Sequence, residues 1–230
     1  MPHEGIGVRA RGLRKSYDGG LVRALVDVNL EIAPGERVTI MGPTGSGKST
    51  LLALLAMLED PDAGELELDG ESTSRIRSPE RWRAAHLGIV FQLHHLLGHL
   101  TAEENVMLPL IGGVGKTRDQ LRRAQALLGD LGLGHRKDAL AAHLSGGERQ
   151  ITAVARALIN DPKLVLADEP TGNVDSVTGA KILEILGGWC ERRGGSLVMV
   201  THDPTIASRS DRVVYLRDGR VHLGGLITEC

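Results

Sequence analysis

Cysteine and aromatic residues are almost missing from this 230-residue chain, which has two cysteines, two tryptophans, two tyrosines and one phenylalanine. Cys190 and Cys230 stand far apart with no metal-ligand spacing. The chain therefore encodes neither a disulfide framework nor a zinc module, and the usage suits a reducing compartment. Long apolar runs are lacking too: residues 51–58 and the interrupted stretch 151–159 are the longest, well short of the roughly 20 residues that cross a bilayer. Neither charge sign dominates, and a formal net charge of −2 argues against a chain held to nucleic acid by electrostatics. Met1-Pro2-His3-Glu4 leads into Gly5 and a charged region, without the apolar core of a signal peptide. Internal repeats and low-complexity tracts are absent. The length allows one sizeable domain, or a core with a subdomain.

What is present is organised around Gly42-Pro43-Thr44-Gly45-Ser46-Gly47-Lys48-Ser49-Thr50. The apolar run Arg37-Val38-Thr39-Ile40-Met41 precedes it and a second apolar run follows, the order strand, glycine turn, helix start. Backbone N–H groups must come close to phosphate oxygens in such a turn, and side chains would obstruct them. The helix start adds free N–H groups and the positive end of a dipole. Lys48 is placed to reach the outer phosphates and the Ser49 hydroxyl to hold Mg²⁺. A plain glycine turn before a helix would not fill every position of G-x-x-x-x-G-K-[ST] in this context. The stretch predicts binding of a nucleoside triphosphate.

Around it the hydrophobic periods outline an α/β chain. Residues 8–17 alternate like a strand, Asp18-Gly19-Gly20 turns, and residues 22–32 continue as a second strand or pair. This antiparallel opening can lie against a nucleotide base. A short strand with an Asp69-Gly70 turn follows, then a helix capped by Ser78 with Pro79 first, and a buried strand from Leu87 to Phe91 that stops at Gln92. Residues 93–145 read as a mainly helical subdomain, with capping boxes at Thr101–Glu104 and Thr117–Gln120. The core is expected over 6–92 and 146–223. Its second half alternates a helix at about 146–159, a strand at 164–167, a helix at about 177–193, a strand at 196–200, a short helix opened by Asp203-Pro204, and a hairpin around Asp218-Gly219. That alternation predicts a mostly parallel sheet covered on both faces.

Four further features carry chemistry. Asp168 and Glu169 end an apolar strand, which puts Asp168 beside a metal and lets the turn into Pro170 aim Glu169 at a water in line with the terminal phosphate. An acidic helix cap is the plainer alternative. Ser145-Gly146-Gly147-Glu148 makes a capping box, yet two glycines in the first turn are costly unless bare N–H groups must press on an anion. The phosphate loop already covers one side of the nucleotide, so this second anion site is expected to serve a nucleotide held by another copy of the chain. His202 and Gln92 stand at strand ends, where ligands gather. His202 can donate to the terminal phosphate, and Gln92 can contact Mg²⁺ or the attacking water; a helix-start histidine and a loop amide are the alternatives. Tyr17 either stacks on a purine or packs within its sheet.

Over nearly the whole chain these stretches resemble the nucleotide-binding subunit of ATP-binding cassette (ABC) transporters. Residues 42–50 resemble its phosphate loop, 144–148 its signature motif, and Asp168-Glu169 its metal-binding and catalytic acids. Gln92, Asp175 and His202 resemble its Q-, D- and H-loop residues, and Tyr17 its adenine-stacking aromatic. The resemblance implies a P-loop NTPase core with an antiparallel β subdomain and an inserted helical one. It also implies ATP and Mg²⁺ as ligands, and a head-to-tail homodimer that buries two ATP between phosphate loops and signature helices. Ala167 to Asp175 and Phe91-Gln92-Leu93-His94-His95-Leu96-Leu97 are similar to cassettes of the MacB, LolD and FtsE group, the second stretch most of all to the lipoprotein-releasing branch. Val174, where that group usually has Leu, and Ile151-Thr152 depart from its pattern. The group implies an ATPase at the cytoplasmic face of the inner membrane, powering a separate permease. An FtsE-like regulator of a cell-division complex is the alternative. His94 and His95, adjacent and without other ligands, are expected in the loop that faces the partner rather than at a metal.

Overall fold

The computed structural model describes residues 5–111 and 117–222. Cys230 and the expected end of the core at residue 223 lie outside these.

Two sheets form. Strands β1 (Val8–Tyr17) and β2 (Val22–Ile32) pair antiparallel, with Val8 opposite Ile32 and Tyr17 opposite Val22. β2 is one continuous strand. With β4 (Ala63–Leu68) and β5 (Glu71–Ser72) they make a four-stranded sheet in the order β2-β1-β4-β5. The second sheet holds β3 (Arg37–Met41), β6 (Leu87–Val90), β7 (Leu164–Asp168), β8 (Ser196–Thr201), β9 (Arg212–Arg217) and β10 (Arg220–His222). Its order is β10-β9-β3-β8-β7-β6, all parallel except β10. The almost unbroken apolar composition of β7 and β8 follows from burial on both faces.

Each central strand divides its side chains between two cores, as the two-residue period requires. Val38, Ile40, Leu164, Leu166, Val198 and Val200 face one core, shared with the antiparallel sheet and helix α1 (Lys48–Leu55). Val165, Ala167, Leu197 and Met199 face the other. There they meet α5 (Gly146–Leu158) and α6 (Ser176–Arg193), with Ile151, Val154, Ile182, Leu186 and Trp189. Ala102 and Val106 of α3 (Ala102–Met107) and Ala124 and Leu128 of α4 (Thr117–Asp130) join this same cluster. The described residues of the 93–145 stretch therefore share one apolar cluster with α5. Among the described residues no helix is long and apolar enough to cross a membrane.

Three local expectations need correction. Ser78 precedes α2 (Pro79–His86), yet its side chain makes no capping bond, its backbone standing at φ −135°, ψ 76°. Pro79 still starts the helix because its ring fixes φ and it has no N–H to satisfy. Residues 93–100 form loop and turn, as expected around His94 and His95, so the helices of this mainly helical stretch begin only at α3, later than residue 93. The buried Asn105 holds that stretch as a loop: its Oδ1 accepts from Leu97 N–H at 2.8 Å, and its Nδ2 donates to the Leu97 and Thr101 carbonyls at 3.1 and 2.9 Å. Strand β6 ends at Val90, leaving Phe91 outside it. The Thr101–Glu104 capping box is present, whereas α4 is described only from Thr117, so the cap expected there falls at the edge of the described residues.

Candidate functional site

The C-terminal ends of β3, β6, β7 and β8 lie along one edge of the parallel sheet, and the predicted residues collect there. The loop after β3 is shaped by close backbone contacts. A side chain at Gly42 would put its Cβ 2.0 Å from the Leu216 carbonyl oxygen. Gly47, at φ +100°, has the Ala24 carbonyl 2.3 Å from where a Cβ would stand. It also precedes α1 without any side-chain cap, so the first N–H groups of that helix remain free for an anion. Pro43, Thr44 and Gly45 are exposed at the loop's tip, while the Ser46 hydroxyl is buried with no partner among the described residues.

Lys48 is 9% exposed, and its Nζ donates to the Gly42 and Pro43 carbonyls at 2.7 and 2.8 Å. Burial pushes the Lys48 ammonium below its ordinary value, opposed by the charges of Glu169 and Asp168. Asp168 ends β7, and the Ser49 hydroxyl stands near enough to its carboxyl to favour the charged form. Burial pushes its carboxyl above the ordinary value; Ser49 and Lys48 work against this, and Glu169 adds to it. A carboxylate and a nearby hydroxyl beside a lysine and free helix N–H groups form a hard-oxygen donor set, fitting Mg²⁺ held with phosphate oxygens.

Glu169 does not simply continue the strand. Its backbone is left-handed (φ 43°) while its N–H still bonds the Val200 carbonyl at 2.9 Å. That breaks the strand's alternation and swings the side chain across the end of β8. There Oε2 accepts from the Thr201 hydroxyl at 2.9 Å and Oε1 from His202 Nδ1 at 2.7 Å. Glu169 is 12% exposed against 76% for His202, so the histidine covers the carboxylate from the solvent side. The sequence pointed to Glu169 and His202 separately; Thr201 had no signal beyond standing next to His202.

Gln92 is exposed in the turn after β6, its carbonyl accepting from Asn173 Nδ2 at 3.0 Å. Tyr17 approaches from the other sheet. Its hydroxyl donates to Glu59 Oε2 at 2.8 Å, with Lys15 Nζ 5.7 Å from the ring centroid. The ring is thus anchored at its polar tip rather than packed away.

Ser145, Gly146, Gly147, Glu148 and Asp175 form a second cluster. No hydrogen bond joins it to residues 42–50 among the described residues. Glu148 N–H donates to Ser145 Oγ at 3.3 Å and Ser145 N–H to Glu148 Oε2 at 2.8 Å, completing the capping box. These bonds, with Arg136 3.0 Å away, hold the Glu148 carboxyl below its ordinary value. Asp175 caps α6, accepting from Val177 and Thr178 N–H at 3.0 Å and from the Thr178 hydroxyl at 2.7 Å. Gly147 has a reason within the chain that the sequence did not reveal: a Cβ there would sit 3.0 Å from Thr178 Cγ2. The buried Gln150 ties the two clusters together, its Nε2 donating to the Pro170 carbonyl at 2.8 Å. Gln150, Asn173 and Glu59 escaped notice because polar residues bonding to distant backbone leave no periodic trace.

Comparison with known proteins bears on this geometry. The ABC transporter family model matches residues 25–172. The lipoprotein-releasing system ATP-binding protein LolD 2 of Caulobacter vibrioides is 45% identical, over 93% of this chain and 95% of that protein. The macrolide export ATP-binding/permease protein MacB 1 of Aeromonas hydrophila is 45% identical over 91% of this chain but only 33% of its own, longer length. A dimeric ATP-binding cassette solved in a post-hydrolysis state with ADP and Pi superposes with a TM-score of 0.88 and 39% identity, covering 95% of this chain and all of that one. Site, fold and relatives agree that this chain belongs to the ABC transporter family, as an ATP-binding and ATP-hydrolysing subunit.

Proposed function

We propose that this subunit works as a MgATP-driven homodimer on a separate membrane permease of the lipoprotein-releasing or macrolide-export kind, at the cytoplasmic face of the inner membrane. The observation that carries the reading is Glu169, bent out of its strand and braced by Thr201 and His202 beside the Ser49–Asp168 pair. A braced carboxylate at that point can orient a water and take its proton, while His202 keeps the carboxylate in place and can donate to the terminal phosphate. Lys48 and the N–H groups of residues 42–50 hold the phosphates, Tyr17 stacks on the adenine, and Gln92 reaches the metal or the water. Ser49 and Asp168 would hold Mg²⁺, which when bound supplies positive charge beside the transferred phosphoryl group. Ser145, Gly146, Gly147 and Glu148, with Asp175, contact a nucleotide bound to the partner copy. Support for that arrangement comes from the opening of α5, where the capping box satisfies the N–H groups of Ser145 and Glu148 and leaves those of Gly146 and Gly147 for an anion, and from the dimeric state of the related cassette. The permease reading is supported by relatives named as ATP-binding components of lipoprotein-release and macrolide-export systems. Those names favour it over a cell-division regulator.

Converting hydrolysis into work requires ATP to favour the paired state over ADP by about 5 kcal/mol for a near-complete switch. Glu169→Gln tests the reading. Turnover should fall about 1000-fold while ATP affinity stays within a few-fold, and ATP should shift the chain from monomer to dimer in sedimentation. Wild-type turnover in this variant would remove Glu169 from its role.

A further inference from the structure

Beyond Gln92 the chain does something side chains resist. His94 and His95 stand consecutively in left-handed backbone, at φ 61° and 48°. Their own N–H groups bond back to the Phe91 and Leu93 carbonyls at 3.2 and 2.6 Å, a tight reversal that turns both histidine carbonyls toward α5. Arg156, in the last turn of α5, meets them as a fork: Nη2 donates to the His94 carbonyl at 2.5 Å and Nη1 to the His95 carbonyl at 2.6 Å. Among the described residues this guanidinium has no acidic partner. A half-buried cation without a counter-ion is costly, and here only two backbone dipoles offset its lost hydration. The arrangement persists because both sides need it, the turn for its shape and the arginine for its bonds.

The same helix has two other fixed points. It opens at Ser145, and at Gln150 it grips the Pro170 carbonyl just past Asp168 and Glu169. Asn173, three residues beyond Pro170, holds the Gln92 carbonyl from the other side. A helix is stiff over this length, so three loops are referred to one rigid rod.

We propose that Arg156 is a positioning residue that locks the Gln92 loop to α5, so that loop and helix shift as one body. It touches neither nucleotide nor metal. Resting on the function proposed above, the clamp makes docking of Ser145 and Gly146 against one copy's nucleotide set the place of Gln92 at the other nucleotide. Lysine cannot replace it fully, since an ammonium lacks the planar fork that engages two adjacent carbonyls at once.

The test uses full-length Arg156→Lys and Arg156→Gln. Amide exchange reads the clamp without any appeal to catalysis. Loss of the fork should speed exchange at His94 and His95 about tenfold, with protection in residues 148–158 unchanged. ATPase assays read the consequence: kcat should fall about tenfold in Arg156→Gln with KM for ATP within twofold, and Arg156→Lys should recover about half of the loss on a logarithmic scale. If Arg156→Gln does not fold, Arg156→Lys carries both readouts. Unchanged exchange at residues 94–95 in a folded variant overturns the clamp. Faster exchange with unaltered kcat, or a change in KM alone, overturns its positioning role. Failure of the wider reading looks different, because ATP would then leave Glu169→Gln monomeric in sedimentation while the exchange difference persisted.

Discussion

Asp168 and Glu169 are sequence neighbours whose surroundings set them different tasks. Asp168 stays in line with its strand, where burial raises its carboxyl above the ordinary 3.8 despite Ser49 and Lys48. The folded chain therefore holds this proton more tightly than the unfolded one. The stability that Asp168 contributes is full below the ordinary value and is lost as pH rises through the folded one. At neutral pH its charge is a cost to the fold, kept for the cation it can attract. Asp168→Asn should accordingly raise the melting temperature of nucleotide-free protein at pH 7, and leave it unchanged near pH 3. The same substitution should lower ATPase activity about 100-fold or more by weakening the metal site. Calorimetry at the two pH values and a steady-state assay check both halves; a lower melting temperature at pH 7 would contradict the assigned cost.

Elements were more legible than the bonds between them. The sequence marked β7 and β8 by unbroken apolar runs and placed α5 and α6 within a residue or two, because burial on two faces dictates composition. It set the start of the mainly helical stretch at residue 93, although it expected His94 and His95 in a loop, and helix begins only at Ala102. The loop there depends on Asn105 and Arg156 bonding to backbone, and such bonds impose no spacing on the chain. Phosphate loop, acid pair and histidine were readable because their chemistry demands particular residues at fixed offsets. Glycines inside elements were not, since the sequence does not say what lies opposite them. Gly88 of β6 faces the Ala157 carbonyl of α5, which would lie 2.3 Å from an added Cβ, whereas an added Cβ at Gly187 on α6 meets nothing within 4 Å among the described residues. Gly88→Ala should destabilise by about 2–3 kcal/mol through forced separation of strand and helix, and Gly187→Ala should stabilise by roughly 0.5–1 kcal/mol through helix propensity. Urea titrations of the two variants should move in opposite directions with equal slopes. Equal shifts would mean that β6 and α5 are not in the close contact described.

At the scale of the whole molecule, no hydrogen bond among the described residues joins Ser145–Glu148 and Asp175 to residues 42–50, and the proposed function has pairing with a second copy complete the site. Mixing Lys48→Ala with Ser145→Arg chains tests that completion. Each pure variant spoils both composite sites of its dimer, while a mixed dimer keeps one intact site. Random pairing of equal amounts should restore about a quarter of wild-type site number, against almost none for either variant alone. Activity of the mixture equal to the mean of its parents would show that each chain hydrolyses ATP unaided.

One sheet serves as the common wall of two hydrophobic interiors, since Leu164 and Leu166 look one way from β7 and Val165 and Ala167 the other. Neither interior can melt while its neighbour stays solid, because loosening either one strips the shared strands of half their burial. The chain should therefore lose structure in one sharp calorimetric step, with van't Hoff and measured enthalpies equal, although it carries two sheets and two kinds of layer.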